Sequence, residues 1–302
     1  MAKTLLLILL LAVTRPIDLW AAQVECGGTH LIRVDLESWK TELARKNLAS
    51  SRAGELLAQL RMKTGFAREL PDVEQAGVIA RSLSIQGVDE MKAKLTGQHL
   101  PEHLVVVKYQ LKVGKSCGEH EDHCFEGYAI QVLKPLGKNA WCSLGTDLSA
   151  EIWGPDRDFT FCPEARSPAR DFAFFALSRQ GRKVIQLDDY RAHCPTTGTR
   201  SSQHERSYWE VQEGLLAEIF KVTLHSQSGG PDFGKKTTLK GRLTFSGDFP
   251  KRIHFEAQEE ECGADAFSDD LHKAKKACLK NDRFQVYQYI DGRYAPEAAP
   301  SH

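Results

Sequence analysis

From Leu104 onward the apolar residues of this chain fall on every second position. Val105, Val107, Tyr109, Leu111 and Val113 line one face, with polar neighbours after Lys108. A two-residue period means a strand with one face towards a core. The pattern returns at Tyr128, Ile130 and Val132, and Phe172 to Leu177 is a more continuous apolar run. Arg179-Gln180-Gly181-Arg182 reads as the turn into Val184 to Leu187. Phe220, Val222 and Leu224 open a meander that continues through Leu239, Gly241, Leu243 and Phe245. It turns at 246–250, returns through Ile253, Phe255 and Ala257, and a last strand spans Phe284 to Ile290. Neighbouring strands joined by short turns pair antiparallel.

Upstream, over residues 35–98, the period reads as helical. Leu36, Trp39 and Leu43 share a face, and Ser50-Ser51 can cap a stretch carrying Ala53, Leu56, Leu57 and Leu60. Pro71 suits the start of a third helix with Val73, Ala76, Ile79, Ala80 and Leu83 as its stripe. Val88, Met91 and Leu95 mark a short fourth, closed by Gly97. A late helix is predicted near 268–280, capped by Ser268, with Leu271, Ala274 and Cys278 inward. The predicted fold is therefore α+β. A helical region, 23–100, precedes an antiparallel sandwich or curved sheet, 101–290, of roughly nine or ten strands. A tail, 291–302, has little to bury and is expected to be disordered.

The N-terminus supplies an address. Met1-Ala2-Lys3 is a basic start, and Leu5 to Val13 is an apolar run too short to span a bilayer. Arg15, Pro16 and Asp18 interrupt it, and Trp20-Ala21-Ala22 provides small residues for cleavage. Residues 1–22 read as a signal peptide, and no other run is long enough for a transmembrane segment. All eight cysteines lie beyond it: Cys26, Cys117, Cys124, Cys142, Cys162, Cys194, Cys262 and Cys278. An even count in an exported chain implies disulfides, with the pairing left open. The expected location is the periplasm or the extracellular space.

Charge removes one class of partner. Forty basic residues balance forty acidic ones. A general nucleic-acid binder needs a basic excess to displace counterions from phosphates.

The motifs with chemical appeal are few. Cys117, Glu121, His120, His123 and Cys124 lie within one short loop. Their inventory resembles a zinc site, but one short loop rarely wraps four ligands around an ion. A Cys117–Cys124 disulfide stapling a hairpin tip is the preferred reading. His120, His123 and Glu121 then remain as a weak divalent-metal alternative, and no other cofactor is implied.

Two fragments, around His193 and around Ser228, resemble pieces of chymotrypsin-type serine proteases. Gln227 stands where that motif carries Asp, and His193 and Ser228 lie too close in the chain for that architecture. His99 and His103 are separated by Pro101, which breaks the helix that would align them. No nucleophile elbow, phosphate loop or zinc-protease motif occurs.

One surface has coherence. If the strands around 237–245 and 252–258 pair, Lys240, Arg242, Arg252 and His254 share an outer face suited to an anionic ligand or an envelope protein. The alternative is an ordinary solvated sheet face. The functional expectation is an exported binding or interaction protein with no identifiable catalytic motif. A second expectation is a secreted hydrolase, which would need several of His193, His225, His254, Asp188 and Asp189 in one cleft.

Overall fold

The structure is a computed structural model that describes Cys26 and residues 29–62, 81–113, 123–145, 148–152, 169–193, 200–230, 235–263 and 278–297. Among the described residues, two antiparallel sheets and two short helices make three layers.

The helices are α1, Leu36–Leu43, and α2, Ser50–Gln59. Asp35 caps α1 by accepting from the Ser38 N–H at 3.1 Å. Leu36, Trp39 and Leu43 of α1, with Ala53, Leu56 and Leu57 of α2, turn inward as the periodicity predicts. The Trp39 indole N–H donates to the Leu56 carbonyl at 2.7 Å and locks the pair together.

The first sheet contains β1 (Leu31–Arg33), β2 (Arg81–Ala93), β3 (Glu102–Val113), β4 (His123–Gly137), β5 (Ala140–Gly145) and β6 (Ala150–Ile152). Its order is β1-β5-β4-β3-β2, with β6 added to β4. Both faces are buried. Val105, Val107, Tyr109, Ala129 and Leu133 face the helices. Leu104, Val106, Tyr128, Ile130 and Val132 face the second sheet. Strands covered on both sides read as nearly unbroken apolar runs, which is the sequence of Leu104 to Val107.

The second sheet is an eight-stranded meander in chain order. Its strands are β7 (Ala169–Phe175), β8 (Val184–His193), β9 (Arg200–Gln212), β10 (Leu215–Gly230), β11 (Lys235–Ser246), β12 (Arg252–Cys262), β13 (Cys278–Ile290) and β14 (Arg293–Pro296). Ile185, Leu187, Val211 and Leu216 pack on the first sheet. The other face carries an aromatic core around Tyr208, Phe220, Ile253 and Tyr294.

The meander curls. The Tyr294 hydroxyl donates to the Lys251 carbonyl at 2.9 Å, and the Lys251 N–H donates to the Leu177 carbonyl at 3.0 Å. Buried Glu210 accepts from the hydroxyls of Ser178, at 2.7 Å, and Tyr289, at 2.6 Å. These bonds tie the last strands back to the first.

The fold departs from the sequence reading in four places. Residues 81–93, expected as helix, form β2. A β-bulge between Ile85 and Gly87 shifts the register. Leu83 and Ile85 before it and Val88 after it therefore pack against the same core, and their spacing imitates a helix. The predicted N-terminal helical region thus keeps only its first two helices among the described residues.

The late helix falls largely outside the described residues, but its end, Cys278 to Lys280, is strand. The tail is not wholly loose, because Arg293–Pro296 form β14 and bury Tyr294 to 7% exposure. His103, just ahead of the strand read from Leu104, lies within β3 and bonds Glu90 through Nδ1 at 2.6 Å. Burial lowers its pKa despite the carboxylate.

Two disulfides brace the described chain. Cys26–Cys142 fastens the segment before β1 to β5, and Cys262–Cys278 joins β12 to β13. Cys117 lies outside the described residues, as do His120 and Glu121. His123 and Cys124 begin β4, where only their backbone is described, opposite Val113 and Lys112. The loop disulfide and the loop metal site are therefore outside the described residues. No helix among the described residues is long and apolar enough to cross a membrane.

Candidate binding cleft

The four predicted patch residues do lie on one face. Lys240 and Arg242 of β11 stand opposite Gln258 and Glu256, and His254 and Arg252 of β12 stand opposite Thr244 and Ser246. The face is not a cationic field. Arg242 Nε donates to Glu256 at 2.7 Å, Arg252 reaches Glu297 at 3.5 Å, and His254 bonds the Ser246 hydroxyl at 2.5 Å. An open hollow of about 640 Å³ lies here, and its wall alternates Lys240 and Arg242 with Glu256 and Asp282.

The hydrolase constellation does not converge among the described side chains. Asp188 and Asp189 are adjacent in β8 and point to opposite faces. Asp188 accepts from His204 Nε2 and Arg206 Nε at 2.7 Å and from Gln186 at 2.8 Å. Burial pushes its carboxyl up, but the bonds from His204, Arg206 and Gln186 outweigh burial and hold it down at about 2. Tyr190 stacks on His204 with ring centres 4.2 Å apart. Asp189 pairs with Arg170 at 3.0 Å and Arg191 at 2.6 Å. Both carboxylates are therefore tied into ion pairs.

His254 is on the outer face of β12, and His225 stands opposite His204 and Lys240 in the ladder. His193 closes β8, with only its backbone described. Glu260, Cys262 and Cys278 bring donor atoms together, but the two sulfurs are bonded to each other and offer no thiolates.

A different site emerges where the sheets meet. The cleft there has a volume of about 410 Å³, within the range of small-molecule sites. Its floor is the Cys26–Cys142 disulfide with Leu144 and Val211, and its rim carries Thr96, Gln98, Lys134, Arg182 and Glu213. Lys134 stands opposite Cys142 in the β4–β5 ladder. Arg182 comes from the turn before β8, and Glu213 from the β9–β10 turn.

The walls are firmly held. Buried Glu102 accepts from the backbone N–H of Leu95 at 2.7 Å and of Thr96 at 3.3 Å, which fixes the loop bearing Thr96 and Gln98. Gly97 has φ of 78°, and a Cβ there would meet Arg182 Nε at 2.9 Å, so glycine lets the guanidinium lie close to the loop. The Lys183 N–H donates to the Lys94 carbonyl at 2.8 Å and docks the Arg182 turn onto the same loop.

Neither Lys134 nor Arg182 forms an ion pair among the described residues. Sequence reasoning missed the cleft because six separated segments build it. The legible signals were Gly97 and the Arg179–Arg182 turn, and neither announces a ligand.

The class this architecture defines is a disulfide-braced, three-layer antiparallel β protein with an inter-sheet cleft. No known family, curated protein or solved structure matches the chain.

Proposed function

We propose that the chain is an exported binding protein that takes a small organic anion with an apolar body into the inter-sheet cleft. The observation that carries this reading is the pair of cations without ion-pair partners among the described residues, Lys134 and Arg182, set above an apolar floor. Several other basic side chains of the described structure are paired with carboxylates, as at Arg170, Arg206 and Arg242. A carboxylate held by Lys134 and Arg182, with its body against Leu144, Val211 and the disulfide, uses each part of the cleft. The leader and the disulfides support export.

Benzoate and its neutral isostere benzamide test this. Titrating benzoate should shift the backbone amide resonances of Gly97 and Gly214 together. Lys134→Ala and Arg182→Ala should each weaken that binding about tenfold. Benzamide binding as well as benzoate, or variants binding benzoate as tightly as the parent, would remove the anion from the proposal.

A further inference from the structure

Among the described residues, β13 is paired on its outer side only near its end. β14 covers Tyr287 to Ile290, and the Glu297 N–H reaches the Val286 carbonyl. Before that point, Leu279 to Phe284 are all exposed. Leu279 is 73% exposed and Phe284 is 63% exposed, on opposite faces of the strand. Such an edge presents backbone N–H and C=O groups to any incoming strand. Native edges are usually kept apart by charge, and Lys280, Asp282 and Arg283 at first look like that device.

The order of those charges says otherwise. Suppose two copies join edge to edge, antiparallel, about a two-fold axis normal to the sheet. Opposed residues must then share a face, so the axis passes through one residue, which meets its own copy. At position 280, 282 or 283 the axis would oppose two lysines, two aspartates or two arginines. At Phe284 the pairing would need the edge of Val286 and Gln288, which Glu297 and Ala295 already occupy. At Leu279 only Cys278 to Lys280 of the described edge would pair, and no unlike charges would face each other. At Asn281 no like charges meet and unlike ones do. Lys280 of each copy then faces Asp282 of the other, twice over. Leu279 lies against the stem of Arg283, and Phe284 lies against the Cys262–Cys278 disulfide of the second copy.

We propose that the protein self-associates through β13, in the register centred on Asn281, to form a two-fold dimer with a continuous sheet. The occupant of this edge is a second copy of the chain, chosen by the charge complementarity of its own sequence. The proposal does not depend on the cleft.

Sedimentation equilibrium of the full exported chain tests it through a charge exchange. Lys280→Glu alone sets a second carboxylate opposite Asp282, and Asp282→Lys alone sets a second ammonium opposite Lys280. Each variant should dimerise roughly tenfold more weakly than the parent. Mixed together, the two variants oppose unlike charges at both pairs, and a heterodimer of near-parental affinity is expected. Thermal unfolding of each variant alone separates misfolding from lost association.

As a second readout, Asn281→Cys should form an intermolecular disulfide under mild oxidation, because the two Cα atoms at the axis fall within bonding range. Lys138→Cys, on a distant turn, should not. The proposal is overturned by a parent chain that stays monomeric, by a parental dimer that both reversals leave intact, or by a mixture that stays as weak as its components. Equal cross-linking at positions 281 and 138 would also overturn it.

Discussion

Asp188 shows how one side chain can set the acid limit of a sheet. Its side chain is 9% exposed and takes hydrogen bonds from His204, Arg206 and Gln186. Its carboxyl moves from an ordinary 3.8 to about 2 in the fold. A depressed carboxyl pKa stabilises the fold above the unfolded value, and that stability disappears as the pH falls through the folded value. Asp188 therefore contributes about 2 kcal/mol near neutrality, lost between roughly pH 4 and pH 2. Asp188→Asn should cost about 2–4 kcal/mol at neutral pH, because Arg206 and His204 keep their burial and lose their anion. Urea midpoints of parent and variant, measured from neutral pH down to pH 2, should converge at the acid end. A constant gap across that range would mean that the charge of Asp188 is not what stabilises the sheet.

At the level of elements, pattern was legible where an apolar alternation or run is unbroken, and illegible where the register slips or where polar and apolar residues mix on both faces. The strands around Tyr109, Ile130, Val184 and Phe255 and the helices at Leu36 and Ala53 follow their periods, and the structure keeps them. β2 was lost because its bulge converts a two-residue period into spacings of two and three. β9 was lost because its two faces meet different neighbours. Trp209 and Val211 face the first sheet, while Tyr208 and Glu210 face the curl of the second, so no clean alternation survives. The cleft was lost for a related reason: Lys134 and Arg182 acquire their meaning only when separate sheets meet. The disulfides also act between elements. Cys26–Cys142 spans 116 residues of chain and Cys262–Cys278 spans 16. Loop-closure entropy grows with the logarithm of span, so replacing the first pair by serine should cost about 4–5 kcal/mol and the second about 3. Denaturant unfolding of the two double variants reads the order directly. A larger loss from the shorter loop would mean that Cys262–Cys278 acts through native packing of β12 on β13 and not through the unfolded chain.

Across the whole molecule, β3 and β4 belong to two cores at once. Val105 and Leu133 complete the helical core, while Leu104, Val106 and Ile130 complete the core between the sheets. A strand cannot loosen on one face and stay fixed on the other, because a single backbone carries both sets of side chains. The helical layer is therefore coupled to the second sheet, although its helices do not belong to the inter-sheet core. Leu57, 2% exposed on α2, lies on the far side of that coupling. Leu57→Ala should remove about 2–4 kcal/mol by leaving a cavity among Trp39, Leu56 and their neighbours. If the layers unfold as one unit, the most protected amides of β8 and β9 should exchange faster by the factor that this loss implies. Their protection should fall in step with that of α1. The opposite result, faster exchange in α1 and α2 with β8 and β9 unchanged, would make the helices a separately melting cap. The second sheet would then derive its stability from its own aromatic core around Tyr208 and Phe220, closed by the Tyr294 and Glu210 hydrogen bonds.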